Sequence, residues 1–201
     1  MLTSISPLGE RARASRWWLT TLAYVFASVL GGLALGLLSA LLGGLVPTSW
    51  RSSAVAYLLV ASALVVALLL DVGVAGRRLP TWRRQVDQAW LGRYRGWVVG
   101  AGFGAQLGFG LVTIITSATT YAVVLLCLLS GDPAVGLLVG GTFGLVRALP
   151  SAFMGRVVTR ERLWRVLGAV EHAAPKADVA ARLALAAAAA ALAGIALGGT
   201  P

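Results

Sequence analysis

Long apolar runs alternate with short basic segments along the chain. Charge is absent from 17–44, 54–70, 97–129 and 183–198, and 134–155 carries only Arg147. Runs of this length and apolarity suit helices crossing a hydrocarbon layer roughly 30 Å thick. The pattern therefore predicts an all-α, polytopic transmembrane bundle of about five spans. The third run, 97–129, is longer than one crossing needs, so it must tilt, project or break. A break into a span and a half-helix, or a dip of residues near 163–170 into the membrane, would make six.

The segments divide one membrane domain into an N-terminal tail (1–16), two spans (17–70), a basic loop (71–96), two more spans (97–155), a second basic loop (156–178) and a C-terminal span (179–201). Pro47, Thr48, Ser49 and Arg51 mark the turn after the first run, and Ser130-Gly131-Asp132-Pro133 ends the third. Arg11, Arg13 and Arg16 precede an apolar part that runs over 17–46, far longer than a signal-peptide core, so it reads as a retained first span. In the middle loop Trp82, Val86 and Trp90 share one helical face, which reads as a tryptophan-anchored interfacial helix or a docking site.

Small residues recur every four positions in three runs: Ser28, Gly32, Gly36, Ala40 and Gly44; Gly100, Gly104 and Gly108; Gly136, Gly140, Gly144, Ala148 and Ala152. Such faces let backbones approach closely where no hydrophobic effect drives helices together. They predict that the first, third and fourth runs form the packed centre, or that they dock another membrane protein. Segments 23–33 (AYVFASVLGGL) and 101–111 (AGFGAQLGFGL) are weakly similar, which suggests a two-unit repeat of the kind transporters use.

Polar positions inside the runs supply the candidate site. Gln106, Thr113, Thr116, Ser117 and Thr120 would share one face of a continuous helix. They are either hydroxyls bonded to their own backbone or the lining of a path for a small solute or ion at a local break. Arg147 is the one charge well inside a run, and such residues are costly in lipid. It is either an anchor that snorkels to the headgroups or a site, and as a site a fixed cation suits an anion or the carbonyls of a broken helix better than a cation.

The 201 residues are 58% hydrophobic and 12% charged, with a net charge of +10. That charge could suggest nucleic acid, but its placement beside the apolar runs makes it topological. Fourteen of the seventeen Lys and Arg residues fall before the first run, in 71–96 or in 156–176, all on one face of a five-span protein. That face is expected to be cytoplasmic, with the N-terminus inside a plasma membrane. The expected partners are the lipid bilayer and a second copy or another membrane protein, and no nucleic acid.

One cysteine, Cys127, and one histidine, His172, exclude an internal disulfide, a CxxC pair and a cysteine- or histidine-based metal cluster. A Walker lysine motif, a GxSxG elbow and paired intramembrane carboxylates are missing from the sequence. The chain reads as a non-enzyme without a cofactor.

Residues 103–113 (FGAQLGFGLVT) and 143–150 (FGLVRALP) resemble the transmembrane domain of the cytochrome c biogenesis CcdA and DsbD family, within the LysE-type superfamily. The resemblance implies two repeated helical units. That family carries electrons through one cysteine in each unit, and the matching segments here have none, so what it implies is the scaffold without the redox pair. Small-solute exporters of the same superfamily suit a cysteine-poor chain. The expected function is a small-solute or ion transporter, with a membrane scaffold subunit or a cysteine-poor CcdA-like thiol-redox protein as the alternatives.

Overall fold

The computed structural model describes residues 16–73, 94–110, 117–154, 157 and 159–198. Among the described residues it has seven helices: α1 (Trp17–Gly44), α2 (Thr48–Arg51), α3 (Ala54–Val72), α4 (Gly96–Phe109), α5 (Thr119–Ser130), α6 (Pro133–Phe153) and α7 (Arg160–Gly198). Four of them, α1, α3, α6 and α7, are long and apolar enough to cross a membrane, and α5 is a shorter apolar helix. The chain is a helical membrane protein.

α1 is the hub, packed most extensively against α4 and α6. Its 28 uncharged residues rise about 42 Å. The reason for its central place is the absence of side chains along its faces. A Cβ on Gly32 would strike the backbones of Gly140 and Gly144, and one on Gly36 would strike Gly136 and Gly140. Numbers fall on α6 as they rise on α1, so these two helices are antiparallel. Ser28 adds a buried hydrogen bond, donating its hydroxyl to the Gly144 carbonyl at 2.8 Å.

α4 runs the other way, parallel to α1. Gly100 lies on Thr20, Gly104 on Tyr24 and Gly108 on Ser28, a constant offset of 80 residues. Further along, Gly43 lies on Leu128 of α5, an offset of 85. Thus α4 and α5 follow one another along α1 in the same direction, with five residues more between them than a continuous helix would use. Residues 23–33 and 101–110 of the two similar segments lie within this parallel arrangement.

The long third run is therefore not one helix. α4 has 14 residues and α5 has 12. Gly32, Gly36, Gly100, Gly104, Gly108, Gly136, Gly140 and Gly144 are covered from within the chain. Gly31, against Ala105 and Phe109, and Gly43 extend this packing on a second side of α1.

A second core joins α3, α5 and α7 through Ala61, Leu64, Ala67, Ala118, Ala122, Leu185, Ala189 and Leu192. Ser53 caps α3 by accepting the Ala56 N–H at 3.2 Å, a bond of the kind that contributes about 1 kcal/mol.

Within the expected loop 156–178, residues 160–178 are helical, because α7 runs from Arg160 through its 39 residues. Arg, Glu, Leu and Ala are strong helix formers whatever their charge. The helix includes Pro175 in its interior. The interfacial helix expected around Trp82, Val86 and Trp90 lies outside the described residues, as does most of the N-terminal tail.

Candidate functional site at the interrupted third helix

α4 stops at Gly110, whose φ of +70° is a left-handed conformation that side chains disfavour. Its N–H donates to the Gln106 carbonyl at 3.1 Å. The turn brings Gly110 against the Thr120 methyl and the Phe143 ring, so the end of α4 meets both α5 and α6.

α5 starts with its own set of bonds. Ser117 Oγ accepts from the Thr119 N–H at 3.3 Å and lies 3.2 Å from the Thr119 hydroxyl. The Ala118 N–H donates to Asp71 Oδ1 at 3.0 Å, from the last turn of α3. Asp71 Oδ2 accepts from Arg182 Nε of α7 at 3.0 Å, and Arg182 Nη2 donates to the Asp71 backbone carbonyl at 3.1 Å. The Asp71 side chain is only 9% exposed, against 37% for Arg182.

At the other end of α5, Arg51 of α2 donates to the Leu129 carbonyl at 3.3 Å and to the Ser130 carbonyl. Its Nε donates to the Val46 carbonyl at 3.1 Å. Gly131 leaves room for the guanidinium. A carboxylate at its N-terminus and a guanidinium at its C-terminus both match the dipole of α5.

Arg147 reaches the junction from α6. Its Nη1 donates to Thr120 Oγ1 at 3.2 Å, and its guanidinium carbon lies 5.2 Å from the centre of the Phe143 ring. Thr120 is fully buried, whereas Arg147 is half-buried. Among the described residues the ion pair is Arg182 with Asp71, and no carboxylate meets Arg147.

The chain is 31% identical over 202 residues to methylamine utilization protein MauF of Paracoccus versutus, a match covering 96% of this chain and 70% of that protein. The chain belongs to the MauF family. No family model matches the chain, and no solved structure does. At 96% of the chain, the likeness to MauF extends over the set of membrane helices and not one of them.

In this MauF-family chain Ser117, Thr120 and Arg147 come to the α4–α5 junction. Gln106 is half-buried on α4 and takes part through its backbone. Gln106 and Thr120 therefore sit on two helices and do not share a continuous face. Thr113 and Thr116 lie outside the described residues. Cys127 is fully buried in α5, and His172 is exposed on α7 with Nδ1 2.7 Å from the Gly168 carbonyl. Among the described residues no group of His, Cys, Asp and Glu could hold a metal.

Two residues at the start of α5, Asp71 and Arg182, and one at its far end, Arg51, escaped the sequence reading as site residues. Asp71 and Arg182 stand at the edges of apolar runs, where charge reads as loop. The signal that could have found them is their opposite sign at the ends of neighbouring spans.

Proposed function

We propose that this MauF-family chain is a multi-pass plasma-membrane protein that serves methylamine utilization by passing a small solute along the α4–α5 junction, with no catalytic step of its own. The observation that carries the reading is the end of α4 at Gly110, with α5 braced at both of its ends by charge and Arg147 bonded to Thr120 in its first turn. Irregular backbone at membrane depth is tolerated where protein covers it or where it lines a water-filled cavity. Transporters place their sites at discontinuous helices of this kind. In this reading the basic segments lie inside, with the N-terminus. The CcdA- and DsbD-like resemblance is read as the same kind of scaffold without its cysteine pair.

Swelling of proteoliposomes in small amines, carboxylates and neutral solutes tests the reading. Thr120→Val, Ser117→Ala and Arg147→Gln should each slow the transported solute at least about tenfold, a loss of about 1.4 kcal/mol in barrier terms, with membrane insertion unchanged. Wild-type rates in all three remove the path.

A second reading, a membrane subunit that docks a partner of the same utilization system, is favoured by α7. Its Trp164, Arg165 and residues 169–180 are exposed. Trp164→Ala with Arg165→Glu should then abolish co-purification of that partner from the native membrane, and retention of the complex removes this surface.

A further inference from the structure

α7 joins the second core from Arg182 onward, through Leu185, Ala189 and Leu192. Before that point Arg160, Arg162, Arg165 and every residue of 169–180 are exposed. Successive residues of a helix turn by about 100°, which sorts this half of α7 into two sides. Leu163, Val166, Leu167 and Val170 share one side. Arg162, Arg165, Ala169, His172 and Lys176 share the other, within an arc of about 80°. Leu163, Val166 and Leu167 are half-buried, whereas all five residues of the second side are exposed. Glu161 borders that second side, and Glu171 and Asp178 lie off it, so the exposed stripe is basic along its length.

Basic residues on a helix that leads directly into a membrane-embedded stretch are attracted to anionic headgroups. The attraction fades beyond a Debye length of about 8–10 Å. In an upright α7, Lys176 would lie about 9 Å from Arg182 along the axis and Arg165 about 26 Å, so Lys176 alone would feel the surface. Pro175 stands between them in the helix interior. It has no N–H for the Glu171 carbonyl, and prolines in that position are where helices bend. A bend there lays 160–174 along the headgroups and brings Arg162 and Arg165 within reach together.

We propose that the Arg162, Arg165 and Lys176 stripe of α7 docks on the anionic headgroup surface of the chain's own bilayer, with Pro175 as the bend. The inference stands apart from the transport reading, and it names lipid instead of a partner protein as the occupant of this surface. The embedded half of α7 keeps the stripe beside the bilayer at all times, and charge complementarity there needs no further component.

Quenching by lipid tests the proposal, with the full-length protein alone in phosphatidylcholine nanodiscs that carry some nitroxide-headgroup lipid. Ala169→Cys puts a fluorophore on the stripe and Ala174→Cys puts one on the opposite side, both at exposed positions, while the native Cys127 is buried. Exchanging part of the phosphatidylcholine for phosphatidylglycerol should raise quenching at Ala169 several-fold and at Ala174 far less. Arg162→Gln with Arg165→Gln should lower the docked-to-free ratio about thirtyfold, the effect of losing two surface arginines. Pro175→Ala removes the bend without altering the charge and should also cut quenching at Ala169.

Quenching at Ala169 that is the same in both lipid mixtures, or undiminished in either variant, would overturn the proposal. So would equal quenching at Ala169 and Ala174. Shielding of Ala169 that appears only when native-membrane extract is added would assign this surface to a partner protein and overturn the lipid assignment.

Discussion

The carboxylate of Asp71 and the guanidinium of Arg182 meet at 3.0 Å across 111 residues of sequence, and the same carboxylate caps α5 through Ala118. One side chain thus ties the end of α3 and the start of α5 to the middle of α7. Asp71→Ala should cost about 2 kcal/mol, read as a lower unfolding midpoint in detergent; loss of a fully buried pair would cost more. Asp71→Asn, which keeps an oxygen for Ala118, should lose about half as much. Exchanging the pair (Asp71→Arg with Arg182→Asp) should rescue only partly, because arginine cannot accept the Ala118 N–H.

Because Cys127 is the sole cysteine and is fully buried in α5, its labelling reports on that helix. Maleimide labelling of the native chain should be slow. Asp71→Ala should speed it several-fold, and no change in rate would show that Asp71 does not hold α5 in place.

Arg51→Met removes the donors to the Val46, Leu129 and Ser130 carbonyls. Charged hydrogen bonds of this kind contribute about 1.5–3 kcal/mol, so the midpoint should fall by several degrees. Arg51→Lys should restore part of it, since a lysine reaches one carbonyl at a time.

Glycines of α4 and α7 should respond oppositely to the same change. Gly108→Ala puts a methyl into the Ser28 backbone and should cost about 1–3 kcal/mol. Gly194→Ala meets nothing within 4 Å and should be neutral or stabilising by up to about 1 kcal/mol through helix propensity. Matching midpoints for the two variants would contradict the packing of α1 on α4.

Gly110→Ala should destabilise by about 1–2 kcal/mol, because alanine is strained at a φ of +70° and its methyl would crowd Thr120. In the transport reading the same variant should slow solute movement more than Gly194→Ala does, measured in the swelling assay.

The helical bundle was legible because charge-free runs of span length have few other uses. The four-residue spacing of Gly32, Gly36, Gly136, Gly140 and Gly144 likewise carries its packing meaning in the sequence. The position of the interruption was not legible. Gly110 follows Gly100, Gly104 and Gly108, and composition does not distinguish a glycine that ends a helix from one that packs it. The helix over 160–178 was not legible because its charges read as loop, although its helix formers were present. Arg147 and Thr120, 27 residues apart, are joined only by the turn between α5 and α6, so their meeting depends on tertiary structure.

The parallel course of α1 and α4 has an electrostatic consequence. Their aligned peptide dipoles set two partially positive ends side by side, and the residues at those ends are Arg16 and Arg95. A helix stabilised for its own sake would carry an acid or a hydroxyl there. Two cations in that position act against the helices they begin, by roughly 0.3–1 kcal/mol each. In the positive-inside reading they are retained as insertion signals, so at these two points the sequence serves the direction of threading over the comfort of the folded state.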